Sequence, residues 1–255
     1  MTDFSDIYDN VPTWNKYLTV DEQNDASKKL AEEYPKKVEL MDIGRSTMGE
    51  SILCLKIGDG KYNAFIHGFP NCEEPYGGNH LTYLSQALAE NDEIREALDY
   101  TWYIVKCSDP DGARRNVEFQ NGPLTPLNFA EHYYRTPHSI TPDGCFPFRY
   151  GPLDLNKPTA ETKALMSIFD NVKISFMSAL HRRKLFASFI FSFPYSNASP
   201  RLDSLSLSSS ILGSYQRQHS GMIMKLSGFH IWAYSYESHP LIGSRSWFPA
   251  AQWRT

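Results

Sequence analysis

Three short polar stretches carry the residue types from which hydrolytic sites are built. They are His67-Gly-Phe-Pro-Asn-Cys-Glu-Glu-Pro75, Ser108-Asp-Pro-Asp-Gly-Ala-Arg-Arg-Asn116 and His181. Glu73 or Glu74 and His181 are oxygen and nitrogen donors suited to zinc. Catalytic zinc takes three such protein ligands and leaves a further position for water. It acidifies that water and polarises a carbonyl, the chemistry of amide hydrolysis. Arg114 or Arg115 offers a fork for a substrate carboxylate. A separate carboxylate would have to act as general base. His67 is one more nitrogen donor, at a strand end. Each residue also has a plainer role. Glu74 suits the first turn of a helix, Asn71 and Asp109-Pro-Asp-Gly112 are turn formers, and the arginines are ordinary surface charges. His219, His230 and His239 read as incidental.

The elements that position these stretches are legible in turn. Thr19 to Glu33 reads as a helix, capped by Thr19, with Asp21 and Glu22 in its first turn and Pro35 past its end. Val38 to Ile43 and Ser51 to Ile57 flank the turn Gly44-Arg-Ser-Thr-Met-Gly49 as a hairpin. Tyr62 to His67 is a short apolar strand, and a helix follows from about Tyr76 to Glu90. Thr101 to Cys107 is rich in β-formers. Residues 113–158 are long for a structureless connection and read as a packed functional loop. Thr159 to Asn171 is an amphipathic helix with Ala164, Leu165, Ile168 and Phe169 on one face, and Ile174 to Leu180 is a strand that delivers His181. Strands and helices alternate from 62 to 181. That order predicts an α/β fold with a mixed, mostly parallel sheet flanked by helices on both faces. Ligands of open sheets lie beyond the carboxyl ends of the strands, so the three polar stretches converge if their strands are neighbours.

A chain of 255 residues, 41% of them hydrophobic, suits one domain with a sizeable core. The net charge of −4 gives no broad field for nucleic acid or an anionic membrane surface. No apolar run approaches the roughly 20 residues of a membrane span. The start lacks the basic and apolar regions of a secretory leader, so a cytoplasmic protein is expected. Cys54, Cys72, Cys107 and Cys145 are widely spaced without a C-x-x-C pair. Neither a cysteine zinc site nor a disulfide framework is expected from them. From residue 182 the composition changes: the last 74 residues hold 16 Ser and only two acids, Asp203 and Glu237. The chain therefore divides into an α/β domain over 1–181 and a Ser-rich, acid-poor segment over 182–255. A change of reading frame or a mis-joined exon near 182 is one account of that break.

Gly68-Phe-Pro-Asn-Cys-Glu-Glu-Pro-Tyr-Gly77 resembles the metallocarboxypeptidase signature Gly-x-Pro-His-Pro-Asn-Glu-Pro-x-Gly. Asp109-Pro-Asp-Gly-Ala-Arg-Arg-Asn116 resembles that family's Asp/Asn-Pro-Asp-Gly turn, and Leu165 to His181 resembles the strand that carries its third zinc ligand. Val38 to Gly49 and Ile52 to Gly58 are similar to its opening hairpin, so the likeness runs from about residue 15 to 181. The resemblance implies one zinc ion on Asn71, Glu74 and His181, with Asn71 at a position where the family has His. It implies a substrate site at Arg114, Arg115 and Asn116. Glu237 is the only Glu after Glu161 and so the one candidate for the family's general base. The implied activity is removal of C-terminal residues from peptides. Alternatives are a homologue that binds peptide C-termini without cleaving them, which Asn71 favours, and an amidase or deacylase acting on an N-acyl amino acid. The resemblance implies neither a nucleic-acid nor a membrane partner.

Overall fold

The computed structural model describes residues 7, 9–123, 125–150, 152–183, 187–194, 221–226 and 229–234. Helix α1 (Val20–Glu33) starts where its sequence signals place it. The Glu22 N–H donates to the Thr19 hydroxyl and the Thr19 N–H donates to the Glu22 carboxylate, a reciprocal cap. The hairpin of β1 (Val38–Arg45) and β2 (Ser51–Ile57) follows, then β3 (Tyr62–His67), α2 (Tyr76–Glu90), α3 (Asp92–Leu98) and β4 (Tyr100–Val105). Next come α4 (Pro110–Arg115), α5 (Val117–Asn121), α6 (Pro126–His132) and a 3-10 turn at His138–Ile140. A small hairpin of β5 (Phe148–Tyr150) and β6 (Leu153–Leu155) leads to α7 (Ala160–Asn171), β7 (Phe176–Arg183) and β8 (Ala187–Pro194). Strands β9 (Gly221–Leu226) and β10 (Phe229–Tyr234) pair with each other.

Six strands form one mixed sheet in the order β1-β2-β4-β3-β7-β8. The parallel part is its centre, where β3 pairs with β4 on one side and β7 on the other. The outer pairs are antiparallel. Helices cover both faces. Leu30 of α1 and Leu81 and Leu88 of α2 pack on Leu55, Ile57, Ala64, Ile66, Trp102 and Ile104. On the opposite face Ala164, Leu165 and Ile168 of α7 pack on Ile52, Cys54, Phe65, Tyr103 and Val105. β4 is buried along its whole length, as expected of a strand covered on both sides. Strand β7 runs through position 181, and β8 pairs with it, so the sheet continues past residue 182.

Several elements differ from the sequence reading for physical reasons. Asp109-Pro-Asp-Gly112 begins a short helix: Asp109 caps it by accepting from the Gly112 N–H (2.9 Å), and Pro110 occupies the first turn. Residues 113–158 form the end of that helix, two further short helices, a 3-10 turn and a hairpin instead of one loop. Helix α3 was not foreseen, although Asn91 caps it by accepting from the Ile94 N–H (3.0 Å).

The parallel register sets His67 opposite Val105 on one side and Ala179 on the other. The ends of β3 and β4 therefore lie level, with β7 running two residues past them to His181, and all three polar stretches leave one edge. The turn after β3 is tight. A β-carbon on Gly68 would stand 2.6 Å from the Lys106 carbonyl oxygen and 3.0 Å from the Gly77 carbonyl carbon. Phe69 holds a left-handed φ of 51°, a conformation costing a side-chain-bearing residue roughly 1–2 kcal/mol. Its buried ring packs with Val20, Cys107 and Ala113, which offsets that strain. Gly68→Ala is expected to lower stability by about 1–3 kcal/mol through this clash, read as a drop in the urea midpoint at unchanged m-value.

Candidate functional site

The first residue of α2 fastens the turn to the strand beside it: the Tyr76 hydroxyl donates to the Leu180 carbonyl (3.1 Å), one residue before His181. Here Asn71, Glu74 and His181 meet. Asn71 Nδ2 lies 3.2 Å from Glu74 Oε2 and 3.2 Å from His181 Nδ1, and the Nδ1–Oε2 distance is also 3.2 Å. Glu74 is buried and the other two are partly so.

On the far side of the imidazole, His181 Nε2 lies 3.1 Å from Asp143 Oδ2. Asp143 was missed in the sequence because it belongs to no motif; its Pro142-Asp-Gly context signals only a turn. Burial pulls the His181 pKa down, but hydrogen bonds to Asp143 and Glu74 and the charges of both carboxylates outweigh it. The group is pushed up to about 9. Burial pushes Asp143 up, while its hydrogen bond to His181 and that residue's charge prevail and hold it below the usual carboxylate range.

His67 lies fully buried at the end of β3, and burial holds it down to about 4. The Ser108 hydroxyl is 2.9 Å from both the Gly68 and Phe69 carbonyl oxygens, so its proton goes to one of them. His67 Nδ1–H then donates to Ser108 Oγ (3.1 Å), which leaves Nε2 as a buried lone pair without a partner among the described residues.

Zinc ligands about 2.0–2.2 Å from the ion stand roughly 3.3–3.6 Å apart in a tetrahedron. The 71/74/181 triangle has edges close to that. Turning the Asn71 amide over would place its oxygen at the nitrogen's corner, an assignment that follows the hydrogen-bond network. The residues thus fit zinc in spacing. In chemistry they are one imidazole short, since an amide oxygen is a poorer zinc donor than a ring nitrogen. Among the described residues no three of His, Cys, Asp and Glu are grouped to hold a metal.

The expected substrate residues are not brought to this corner. Asp21 accepts from Arg114 at Nη1 and Nη2 (3.0 and 2.7 Å), and Glu50 accepts at Nη2 and meets Nε (3.0 and 2.8 Å). Arg115 is exposed, with its guanidinium 4.8 Å from the Tyr134 ring centre and Nη2 4.0 Å from Met48 Sδ. Asn116 is fully buried: its Nδ2 donates to the Tyr134 carbonyl (2.8 Å) and its Oδ1 accepts from the Tyr134 N–H (2.9 Å). Asn116 Nδ2 also lies 3.3 Å from Cys72 Sγ, and Gln120 Nε2 donates to the Cys72 carbonyl (3.1 Å). The stretch 134–136 is thereby stapled alongside the turn that carries Glu74. Glu237, His219 and His239 lie outside the described residues, as does the side chain of His230. Among the described residues no helix is long and apolar enough to cross a membrane, and all four cysteines are free and buried.

The family model described as zinc carboxypeptidase matches residues 24–238. Zinc carboxypeptidase A 1 of Anopheles gambiae is 35% identical over 104 residues, which cover 39% of this chain and 24% of that protein. Carboxypeptidase B of Astacus astacus is 28% identical over 104 residues, covering 39% of this chain and 34% of that one. The matched stretch thus spans about a quarter of the length of the first of these curated relatives and about a third of the second. Among solved structures, carboxypeptidase A from Helicoverpa armigera shares 22% identity over 41% of this chain and 27% of its own, with a TM-score of 0.38. Bovine thrombin-activatable fibrinolysis inhibitor, in complex with a tick carboxypeptidase inhibitor, shares 17% over 66% and 61%, with a TM-score of 0.47.

The raised pKa of His181 has a consequence for stability in chelator. The folded protein keeps a proton that the unfolded chain, with its ordinary value of 6.5, gives up. That contribution is complete below about 6.5 and is lost as pH rises through about 9. Lys106, held down to about 7 by burial, acts with the opposite sign, gaining stability as pH rises from there toward 10.5. The two are separated by difference: the stability gap between wild type and His181→Asn, from urea unfolding, is expected to shrink between pH 6.5 and 9 and to stay flat just below.

Proposed function

Because the chain belongs to the zinc carboxypeptidase family, we propose that it receives the C-terminal end of a peptide at the 71/74/181 corner and hydrolyses the last peptide bond. One zinc ion would be held by Asn71, Glu74 and His181. The observation that carries this reading is the 3.2 Å triangle of their polar atoms. Bound there, zinc supplies Lewis-acid polarisation of the scissile carbonyl and acidifies the attacking water. The protein's own groups prepare the corner. Glu74 accepts from Nδ1 of the protonated His181 ring and Asp143 accepts from Nε2, so that Nδ1, once it gives up its proton, is the nitrogen left to face a metal. Turning Nδ1 to a metal requires that position to lose its proton, so metal and proton compete for one atom.

A second reading is favoured by Asn71. A neutral amide at this corner weakens the hold on a cation and leaves a pocket that binds peptide C-termini without cleaving them. Metal analysis of the purified full chain beside Asn71→His separates the two. The histidine variant is expected to gain zinc affinity beyond the roughly 10- to 100-fold that an outer-shell partner contributes. Hydrolysis, followed as release of the terminal amino acid from N-acyl dipeptides, should be zinc-dependent and abolished by His181→Ala. Equal zinc content in wild type and Asn71→His would remove Asn71 from the ligand set. Peptide binding with no turnover in either protein would favour the binding module.

A further inference from the structure

Two buried acceptor atoms behind the corner have no donor among the described residues. One is Nε2 of His67, a residue 0% exposed, and the other is Oδ1 of Asp143. The sheet brings their residues together. His67 pairs with Ala179 across β3 and β7, so its side chain leaves the same face as those of Ala179 and His181. Phe65, whose ring centre is 5.5 Å from that of His67, lies on this face too, under α7. Strands about 4.8 Å apart, with two residues of rise at about 3.3 Å each, put the His67 and His181 α-carbons roughly 8 Å apart. Asp143 sits against this pair, with Oδ2 3.1 Å from His181 Nε2. Its charge works against burial at His67, and His67 in turn helps to hold Asp143 low, so the two groups are within electrostatic reach. No hydrogen bond joins them directly.

Neither atom can serve the other. The Ser108 hydroxyl gives its proton to a carbonyl oxygen, so His67 donates from Nδ1 to Ser108 Oγ and keeps Nε2 as an acceptor. Asp143 accepts from His181 at Oδ2, and its Oδ1 is an acceptor as well. The Thr141 hydroxyl beside it donates to the His138 carbonyl (3.0 Å). Two acceptors within reach of one another call for a group with two donors. Water has both, and matching buried polar groups in this way is what interior waters do.

We propose that a single buried water donates one hydrogen to His67 Nε2 and the other to Asp143 Oδ1, which makes His67 a positioning residue for Asp143 and, through it, for the His181 ring. The water site stands on the geometry alone; its effect on a metal rests on the 71/74/181 reading above.

Two substitutions take the His67 ring apart. Asparagine sets an N–H near the place of Nδ1 and leaves nothing at Nε2. Glutamine reaches the place of Nε2 with an amide oxygen and gives up the donor to Ser108. A role through Ser108 alone makes His67→Asn the milder change, whereas the water makes His67→Gln the milder one. The test is NMR on the metal-free full chain at one pH. Wild type is expected to show a nuclear Overhauser contact from water to the His67 Cδ2–H, and a slowly exchanging Nε2–H on His181. His67→Asn should speed that exchange several-fold, and His67→Gln should leave it near the wild-type rate. Zinc affinity should fall in the same order, by roughly tenfold or more in His67→Asn, the scale of an outer-shell partner. Faster exchange in the Gln variant than in the Asn variant, equal rates in all three proteins, or a His67 Cδ2–H that sees no water would overturn the proposal. Should either variant fail to fold, the wild-type contact decides. A wild type that shows the water and this order of exchange but takes up no zinc would overturn the metal reading and leave the water site in place.

Discussion

The site depends on one constraint, the parallel pairing of β3 with β4 and β7. Parallel neighbours in this register end on the same side of the sheet, so whatever follows them in sequence is gathered at one edge. A shift of β7 by one residue would point His181 to the opposite face, because side chains alternate along a strand. Burial of the sheet on both faces holds the register. Ile66 packs with the α1 and α2 layer, and Phe65 with α7.

A second layer of organisation lies behind the turn. Cys72 and Asn116 join three segments distant in sequence: the turn after β3, the end of α4, and residues 134–136. Their polar groups satisfy one another in the interior, where an unmade hydrogen bond costs about 1–3 kcal/mol. At the front of the site the electrostatics are simple. Two carboxylates, Glu74 and Asp143, face one imidazole from opposite sides. In the absence of a metal, the ring's own proton supplies the positive charge that this arrangement calls for.

Much of the scaffold was legible in the sequence. A capping signal at Thr19 and the amphipathic period from Thr159 to Asn171 place two helices to within a residue, and the run into His67 delivers its strand with both bounds as read. Asn71, Glu74 and His181 could be set at one corner because short motifs at strand ends carry them. What could not be read depends on distant contacts. Arg114 follows the Asp109 turn and looks available until Asp21 and Glu50 close on it. Asp143 lies in the stretch 113–158, whose helices of five to seven residues are too short to show a hydrophobic period. The change in composition at residue 182 is real in the sequence, yet β7 runs across it and the family match continues to residue 238.

The thiol at Cys72 also makes the turn self-reporting. It is fully buried, and burial pushes its pKa up to about 11, so almost none of it is thiolate at neutral pH. Thiolate is the form that alkylating reagents capture. Labelling at this position must therefore wait for the segments around it to part, and its rate becomes a clock for local opening of the site. Cys54 is sealed instead beneath α7 in the sheet's other layer, and offers a second clock for the core against which the first can be timed.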